Sequence, residues 1–437
     1  MRRLIALIPT GRFARRLALL SGGTLLGQLL LVLVSPLLTR LYVPAEFGML
    51  AVFMSLNGIL GGIASLRYEH GVIAARDEAD AVDMVWVTLI ASFVYAAAMM
   101  LLVWLAGDAF TRWIDTPALA PMLWLLPPTL LAVAIGTILE HWSMRRGTYR
   151  INGAGRTAQF GSQALLQVAF GFAGLKAFGL LVGYALGYVL RFVLFLLVLP
   201  AGDRRELASC RVRRFWPLAR EHWRHAVLGT PARLLQNAVQ LLPAILLAAL
   251  YDPATAGLFA LAQRLLVMPV RLLSHAASQV FLGEAVTRDP QAVRRLFRRT
   301  TLRFLLLGSL GMAPILLAGP PLFALVFGEP WRVAGLMAQA LVVSQLARFV
   351  VMPVSQTLSL YNRLDLELLT SVLMMLGLAA AFVAGAWLEL TASMTVLLYS
   401  VLAAVTQLLA FLVSWLVLHQ ATKNPADTAH ARSNVIG

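Results

Sequence analysis

Leu41-Tyr42-Val43-Pro44-Ala45-Glu46-Phe47-Gly48-Met49-Leu50-Ala51 returns later in the chain as Leu250-Tyr251-Asp252-Pro253-Ala254-Thr255-Ala256-Gly257-Leu258-Phe259-Ala260. The shared pattern, LYxPAxxGxxA, keeps one offset throughout, 251 − 42 = 209 residues, about half of the 437-residue chain. Each copy joins one long apolar run to the next. The repeat therefore predicts two related halves. An even number of runs separates the copies, so the halves share orientation about an axis along the membrane normal. Pro36 and Pro243 fall in the same outer part of the runs that precede the two copies.

Working outward, apolar runs of roughly 18 to 28 residues repeat along the whole chain, long enough to cross a bilayer as helices. Twelve are read: Leu17 to Thr39, Phe47 to Leu66, Met84 to Ala106, Leu119 to Trp142, Thr157 to Gly174, Ala177 to Leu199, Ala226 to Leu250, Ala256 to Leu282, Leu302 to Phe327, Val333 to Leu360, Leu366 to Trp387 and Ala392 to Leu418. The composition agrees, being 60% hydrophobic and only 13% charged. A soluble enzyme would carry about twice that charge. The expected class is an all-α polytopic membrane protein, with about twelve transmembrane helices in two six-helix bundles around a central cavity. Residues 1–200 would form the first bundle, 201–224 a basic cytoplasmic linker, 225–420 the second bundle and 421–437 a cytoplasmic tail. The first run is too long for a signal peptide and is read as a retained span.

The formal charge of +16 belongs to the loops. One side collects Arg2, Arg3, Arg12, Arg15, Arg16, Arg145, Arg146, Arg150, Arg156, Arg204, Arg205, Arg211, Arg213, Arg214, Arg294, Arg295, Arg298 and Arg299, against Arg40, Arg112, Lys176 and Arg332 on the other. The positive-inside rule then puts both termini in the cytoplasm. Orientation in a membrane, rather than nucleic acid binding, accounts for the basic balance. The lone Cys210 excludes an internal disulfide and a cysteine metal site.

Polar residues that persist inside apolar helices mark function. The first run carries Ser21, Thr24, Gln28, Ser35 and Thr39, the fifth Gln159, Gln163 and Gln167, and the seventh Arg233, Gln236, Asn237 and Gln240. Gln28 and Asn237 are equivalent under the repeat (237 − 28 = 209). Arginines stand within spans at 191, 233, 264, 271 and 348; Arg191 and Arg233 are near enough to a cytoplasmic end to snorkel. Arg264 and Arg271 share a helical face. Glu140 is the one carboxylate well inside a span, a candidate for ion coupling. Buried cations in excess of anions need water or an anionic ligand, and arginine matches phosphate bidentately. A phosphate- or pyrophosphate-bearing cargo follows. Arg67 and Glu69, closing the second run, form a candidate gate or interface pair.

Other signals are structural. Gly179, Gly183 and Gly187 make a GxxxGxxxG packing face, and Pro269, Pro314 and Pro353 are kink candidates. Asp77-Glu78-Ala79-Asp80 spells DEAD without a Walker A sequence anywhere, and His222/His225 has HxxH spacing beside repelling Arg220 and Arg224. No DxD pair for nucleotide-sugar chemistry and no GxSxG occurs. Neither a metal nor a cofactor is expected.

With these stretches in hand, the chain resembles the bacterial oligosaccharide flippases, the repeat-unit translocases of polysaccharide biosynthesis. The resemblance is carried by SPLLTRLYVPAEFGMLAVF (35–53), LRYEHGVIAARDEADA (66–81), GLLVGYALGYVL (179–190) and GTPARLLQNAVQLLPAILLAALYDPATAGLFALAQRLLVMPVRLL (229–273). It implies the multidrug/oligosaccharidyl-lipid/polysaccharide exporter fold in the bacterial inner membrane. It also implies export of undecaprenyl-pyrophosphate-linked oligosaccharide by alternating access, for O-antigen or exopolysaccharide synthesis, with Arg233, Gln236, Asn237, Arg264 and Arg271 as cavity residues. Arg348 rests on the residue reading alone. Glycosyltransferases and a polysaccharide polymerase would be partners. A multidrug transporter of the same fold is the alternative, although its cations would favour intramembrane carboxylates. A membrane polymerase or ligase would need a large outer loop, and the outer loops are short.

Overall fold

The structure, a computed structural model, describes residues 12–211, 214–223, 225–286, 289–361 and 363–423. Among these residues every regular element is helical. Twelve long helices follow one another: α1 (Arg12–Leu41), α2 (Pro44–Gly61), α3 (Glu78–Trp113), α4 (Leu126–Arg145), α5 (Tyr149–Phe172), α6 (Lys176–Val198), α7 (Thr230–Leu250), α8 (Pro253–Val286), α9 (Pro290–Phe327), α10 (Arg332–Leu360), α11 (Leu364–Trp387) and α12 (Ala392–Lys423). Each predicted span falls on one of them. Ten are long and apolar enough to cross a membrane, and α4 makes an eleventh with the segment Pro117–Leu123, which meets it at 49°. The remaining one, α5, has 24 residues, about 36 Å at 1.5 Å per residue. It is long enough to span but polar, because Gln159, Gln163 and Gln167 lie along it, all buried.

Helix ends depart from the apolar runs where capping chemistry extends or stops the backbone. α3 starts six residues before the predicted Met84 because the Asp77 side chain accepts from the Asp80 amide at 2.7 Å. α9 starts at Pro290 because Asp289 accepts from the Ala292 amide at 2.7 Å, and its Arg-rich first turns precede the apolar run. These are N-cap bonds, which depend on the cap residue and not on hydropathy. α2 ends at Gly61, short of the predicted Leu66. Leu66 and Arg67 take left-handed conformations, with φ of 49° and 63°, before the short helix Glu69–Ala74.

Large apolar side chains stand exposed along the long helices, Leu310 at 77%, Leu317 at 82% and Trp387 at 84% among them. A protein in water does not present leucine on this scale, whereas lipid requires it. The chain is a multi-pass membrane protein.

Contacts divide the chain into two compact units, one running to Gly257 and one from Leu258 onward. In the first unit α5 lies against α1 and α6, α4 against α3 and α6, and α7 against α2. The GxxxGxxxG face of α6 is what admits α5. A Cβ at Gly183 would lie 2.8 Å from Gln167 Cγ, and one at Gly187 2.9 Å from the Gln159 carbonyl oxygen. In the second unit α10 packs on α9 and α12, and α11 on α12. α9 breaks at Ala318 (φ −138°), beside Pro320 and Pro321, which deprive the helix of two amide donors.

The repeat is visible in the packing. Gly48 abuts the Pro253 carbonyl, and Gly257, its equivalent, abuts the Pro44 carbonyl. Each copy of the motif thus uses its glycine to receive the proline backbone of the other. Two buried clusters also correspond: Val72 and Met84 belong to one, and Phe281 and Val293, each 209 residues later, to the other.

Candidate functional site

The first unit encloses a charged triad. The Arg156 Nε and one terminal nitrogen donate to the two Glu140 oxygens at 3.0 Å each, a bidentate pairing. The Arg191 guanidinium meets the same carboxylate at 2.9 Å and donates to the Gly136 carbonyl at 3.3 Å. Arg191 is only 3% exposed, so it points inward to Glu140 rather than snorkelling. Arg156, read from sequence as a loop cation, is an α5 residue. The α4–α5 turn explains the meeting: Glu140 and Arg156 stand eight residues on either side of Thr148, so an antiparallel return brings them level. That symmetry is the sequence signal that could have identified the pair.

Above this triad run further buried polar contacts. Asn57 of α2 donates to the Tyr184 hydroxyl at 2.9 Å, which lies 3.2 Å from the Tyr188 hydroxyl. The sequence reading missed Asn57 and both tyrosines, whose motif GLLVGYALGYVL reads first as glycine packing. At the outer end of α1, Tyr42 donates to the Gln167 carbonyl at 2.6 Å. Burial, reinforced by the nearby Glu46 carboxylate, pushes the Tyr42 phenol up to about 12.

α7 presents the expected polar face. Arg233, Gln236 and Gln240 are exposed, and the Arg233 guanidinium donates to Gln236 Oε1 at 2.9 Å. Asn237, half-buried, instead turns toward α2 and donates to the Gly58 carbonyl at 3.0 Å. It acts there as a helix-to-helix bond. Gln28 is half-buried on α1. An exposed run of an arginine and two amides on a membrane helix requires water or polar ligand beside it.

The second unit holds the unbalanced cations. Arg264 and Arg271 stand seven residues apart on α8; a terminal nitrogen of Arg264 is buried with no hydrogen-bond partner. Arg348 on α10 lies within electrostatic reach of both Arg271 and the Tyr399 hydroxyl of α12. Among the described residues none of the three arginines forms an ion pair with a carboxylate. Like charges held together without an anion are costly in a membrane interior, and an anionic ligand offsets that cost.

Arg67 and Glu69 do not form the expected pair. The left-handed backbone at Arg67 turns its side chain toward Gly229, with Nε buried and unpartnered. Glu69, also buried, accepts from the Ser65 hydroxyl at 2.6 Å and faces His70 at 3.7 Å. Of the HxxH pair, His222 bonds the Leu218 carbonyl at 3.2 Å, and the His225 side chain lies outside the described residues. The acidic run Asp77–Asp80 caps α3 and pairs with Arg145, Arg146 and Arg214, which accounts for it without nucleotide chemistry.

Against this geometry stand the relatives. The family model described as polysaccharide biosynthesis protein matches residues 37–336. No protein of curated function matches the chain in sequence. Among solved structures, an inward-facing multidrug resistance MATE family transporter of the MOP superfamily superposes with a TM-score of 0.75 at 15% identity, over 92% of this chain and 96% of that one. The lipid II flippase MurJ, in an inward closed conformation, gives 0.72 at 10% identity, over 96% and 90%. A MOP superfamily transporter from Pyrococcus furiosus gives 0.63 at 15% identity, over 93% and 96%. At such identities the likeness establishes the fold, and it is the fold that the family resemblance implied.

Proposed function

The chain belongs to the polysaccharide biosynthesis protein family, and from that membership we propose that it is a flippase carrying lipid-linked oligosaccharide from the inner to the outer leaflet. Undecaprenyl-pyrophosphate-linked repeat units destined for O-antigen or exopolysaccharide are the specific cargo, and the bacterial inner membrane is the site. The observation that carries this reading is Arg271 and Arg348 within electrostatic reach of each other, with Arg264 seven residues before Arg271 on α8, none of them paired with a carboxylate among the described residues. Pyrophosphate supplies the missing anion, and each guanidinium can grip it through two parallel hydrogen bonds. The exposed Arg233, Gln236 and Gln240 face on α7 suits the sugars, whose hydroxyls pair with amides. The prenyl tail stays in lipid, where it costs nothing to leave. Export is favoured by an inside-negative potential, at roughly 2.3 kcal/mol per negative charge per 100 mV. At Glu140 a single carboxylate is shared by Arg156 and Arg191 and cancels one of their two charges; this group is not assigned to the step.

The test is the lipid-linked oligosaccharide content of the host after deletion of the gene, with a membrane-impermeant probe to assign the leaflet. The expected result is completed oligosaccharide held on the cytoplasmic leaflet and loss of surface polymer. Normal polymer with heightened drug sensitivity would replace this reading by a multidrug transporter.

A further inference from the structure

Glu69, His70 and His141 place one carboxylate oxygen and two imidazole nitrogens within 4.8 Å of one another. They come from two elements, the short helix Glu69–Ala74 and the cytoplasmic half of α4, both in the first unit. Three features distinguish this group from a chance encounter of polar side chains. His141 Nδ1 lies 2.9 Å from the Thr137 carbonyl; a carbonyl only accepts, so Nδ1 carries the proton and Nε2 presents its lone pair. A metal-ligating histidine is oriented by just such a bond to a backbone carbonyl. The Glu69 carboxylate is fixed by the Ser65 hydroxyl on one oxygen at 2.6 Å, while the other faces His70 Nε2 at 3.7 Å. Glu69 is 6% exposed at its side chain and His70 39%, so the group has a buried anionic floor and an open side through which an ion and its water enter.

We propose that Glu69, His70 and His141 form a binding site for a divalent transition metal of the zinc type. Two imidazoles and a carboxylate are the donor set of open three-ligand zinc sites, and imidazole selects the later first-row metals over calcium and magnesium. Tetrahedral ligands about 2.0–2.1 Å from zinc stand about 3.4 Å apart. The Glu69–His70 separation of 3.7 Å already approaches that figure, and rotation of the His70 ring, now edge to face with the His141 ring at 5.4 Å between centroids, closes the rest. The repeat supplies a contrast: the positions 209 residues after Glu69 and His70 are Ser278 and Gln279, and Ser278 merely bonds backbone carbonyls. The donor set is thus peculiar to the first half rather than a requirement of the fold. A bound ion would pin the Glu69–Ala74 helix to α4. The site stands independently of the transport reading.

The experiment uses the full chain, purified in detergent with its affinity tag removed and its metal stripped. Zn2+ is titrated against a competing chelator, and Co2+ is followed by its visible absorption. The expected result is one equivalent of Zn2+, a Co2+ spectrum of low coordination number, and a melting temperature raised by Zn2+. Glu69→Gln and His141→Asn each weaken binding at least tenfold, and so does His70→Asn, whose partly exposed side chain can be changed without disturbing the core. His419→Asn, in the other unit, leaves binding unchanged. Absence of saturable Zn2+ uptake by the wild type would overturn the proposal. So would uptake that all three ligand variants retain while their metal-free melting matches the wild type.

Discussion

Glu140 and Arg348 show how position decides what a charged residue does inside a membrane. Glu140 is shared by Arg156 and Arg191 at 2.9–3.0 Å, so removing its charge leaves the buried Arg191 guanidinium, 4% exposed at its side chain, without an anion. Glu140→Gln is expected to destabilise the first unit by about 3–5 kcal/mol, read as a lowered melting temperature. Among the described residues Arg348 has no such partner. Arg348→Glu and Arg271→Glu should leave melting unchanged or raised, because they relieve like-charge repulsion, yet cut export at least tenfold. Full export in both variants would remove the arginines from the cargo site. Tyr42 gives a pH prediction. Its folded value, about 12, stands above the usual 10, so the neutral phenol favours the fold. That contribution is fully present below pH 10 and lost as pH rises from 10 to 12. Tyr42→Phe should flatten the decline of stability over this window.

At the scale of helices, the glycines of the LYxPAxxGxxA motif do the work that no other residue can. Gly48 and Gly257 each face the other copy's proline carbonyl at a separation that leaves no room for a Cβ. Gly48→Val and Gly257→Val are expected to destabilise by at least about 1–3 kcal/mol, the usual cost of overpacking, and comparably to each other because the contact is reciprocal. Thermal unfolding in detergent reads both. The helices themselves were legible from apolar runs, since lipid forces the backbone to bond internally. Their ends were not: Asp77 and Asp289 extend α3 and α9 beyond the apolar stretch by capping, a local signal that hydropathy does not contain. Nor were the partners of buried polar residues. Arg156 sits at the polar start of α5, where hydropathy reads as loop, and the bond from Asn57 to Tyr184 crosses 127 residues of sequence. Arg264, Arg271 and Arg348, by contrast, could be found in the sequence, because the shortage of intramembrane carboxylates is a matter of composition.

At the scale of the whole molecule, the proposed anionic, membrane-anchored cargo rests on a repeated twelve-helix architecture and an excess of intramembrane arginine. An anionic cargo moved outward makes transport electrogenic unless a compensating ion travels with it. The most direct measurement is made in liposomes holding the purified protein and a pyrophosphate-linked oligosaccharide lipid, with leaflet assigned by an impermeant sugar-modifying reagent. The expected result is protein-dependent movement of the head group, accelerated when the potential is negative on the side it leaves, and slowed at least tenfold in Arg348→Glu. Movement at the protein-free rate, or equal movement by the Arg348→Glu variant, would contradict it.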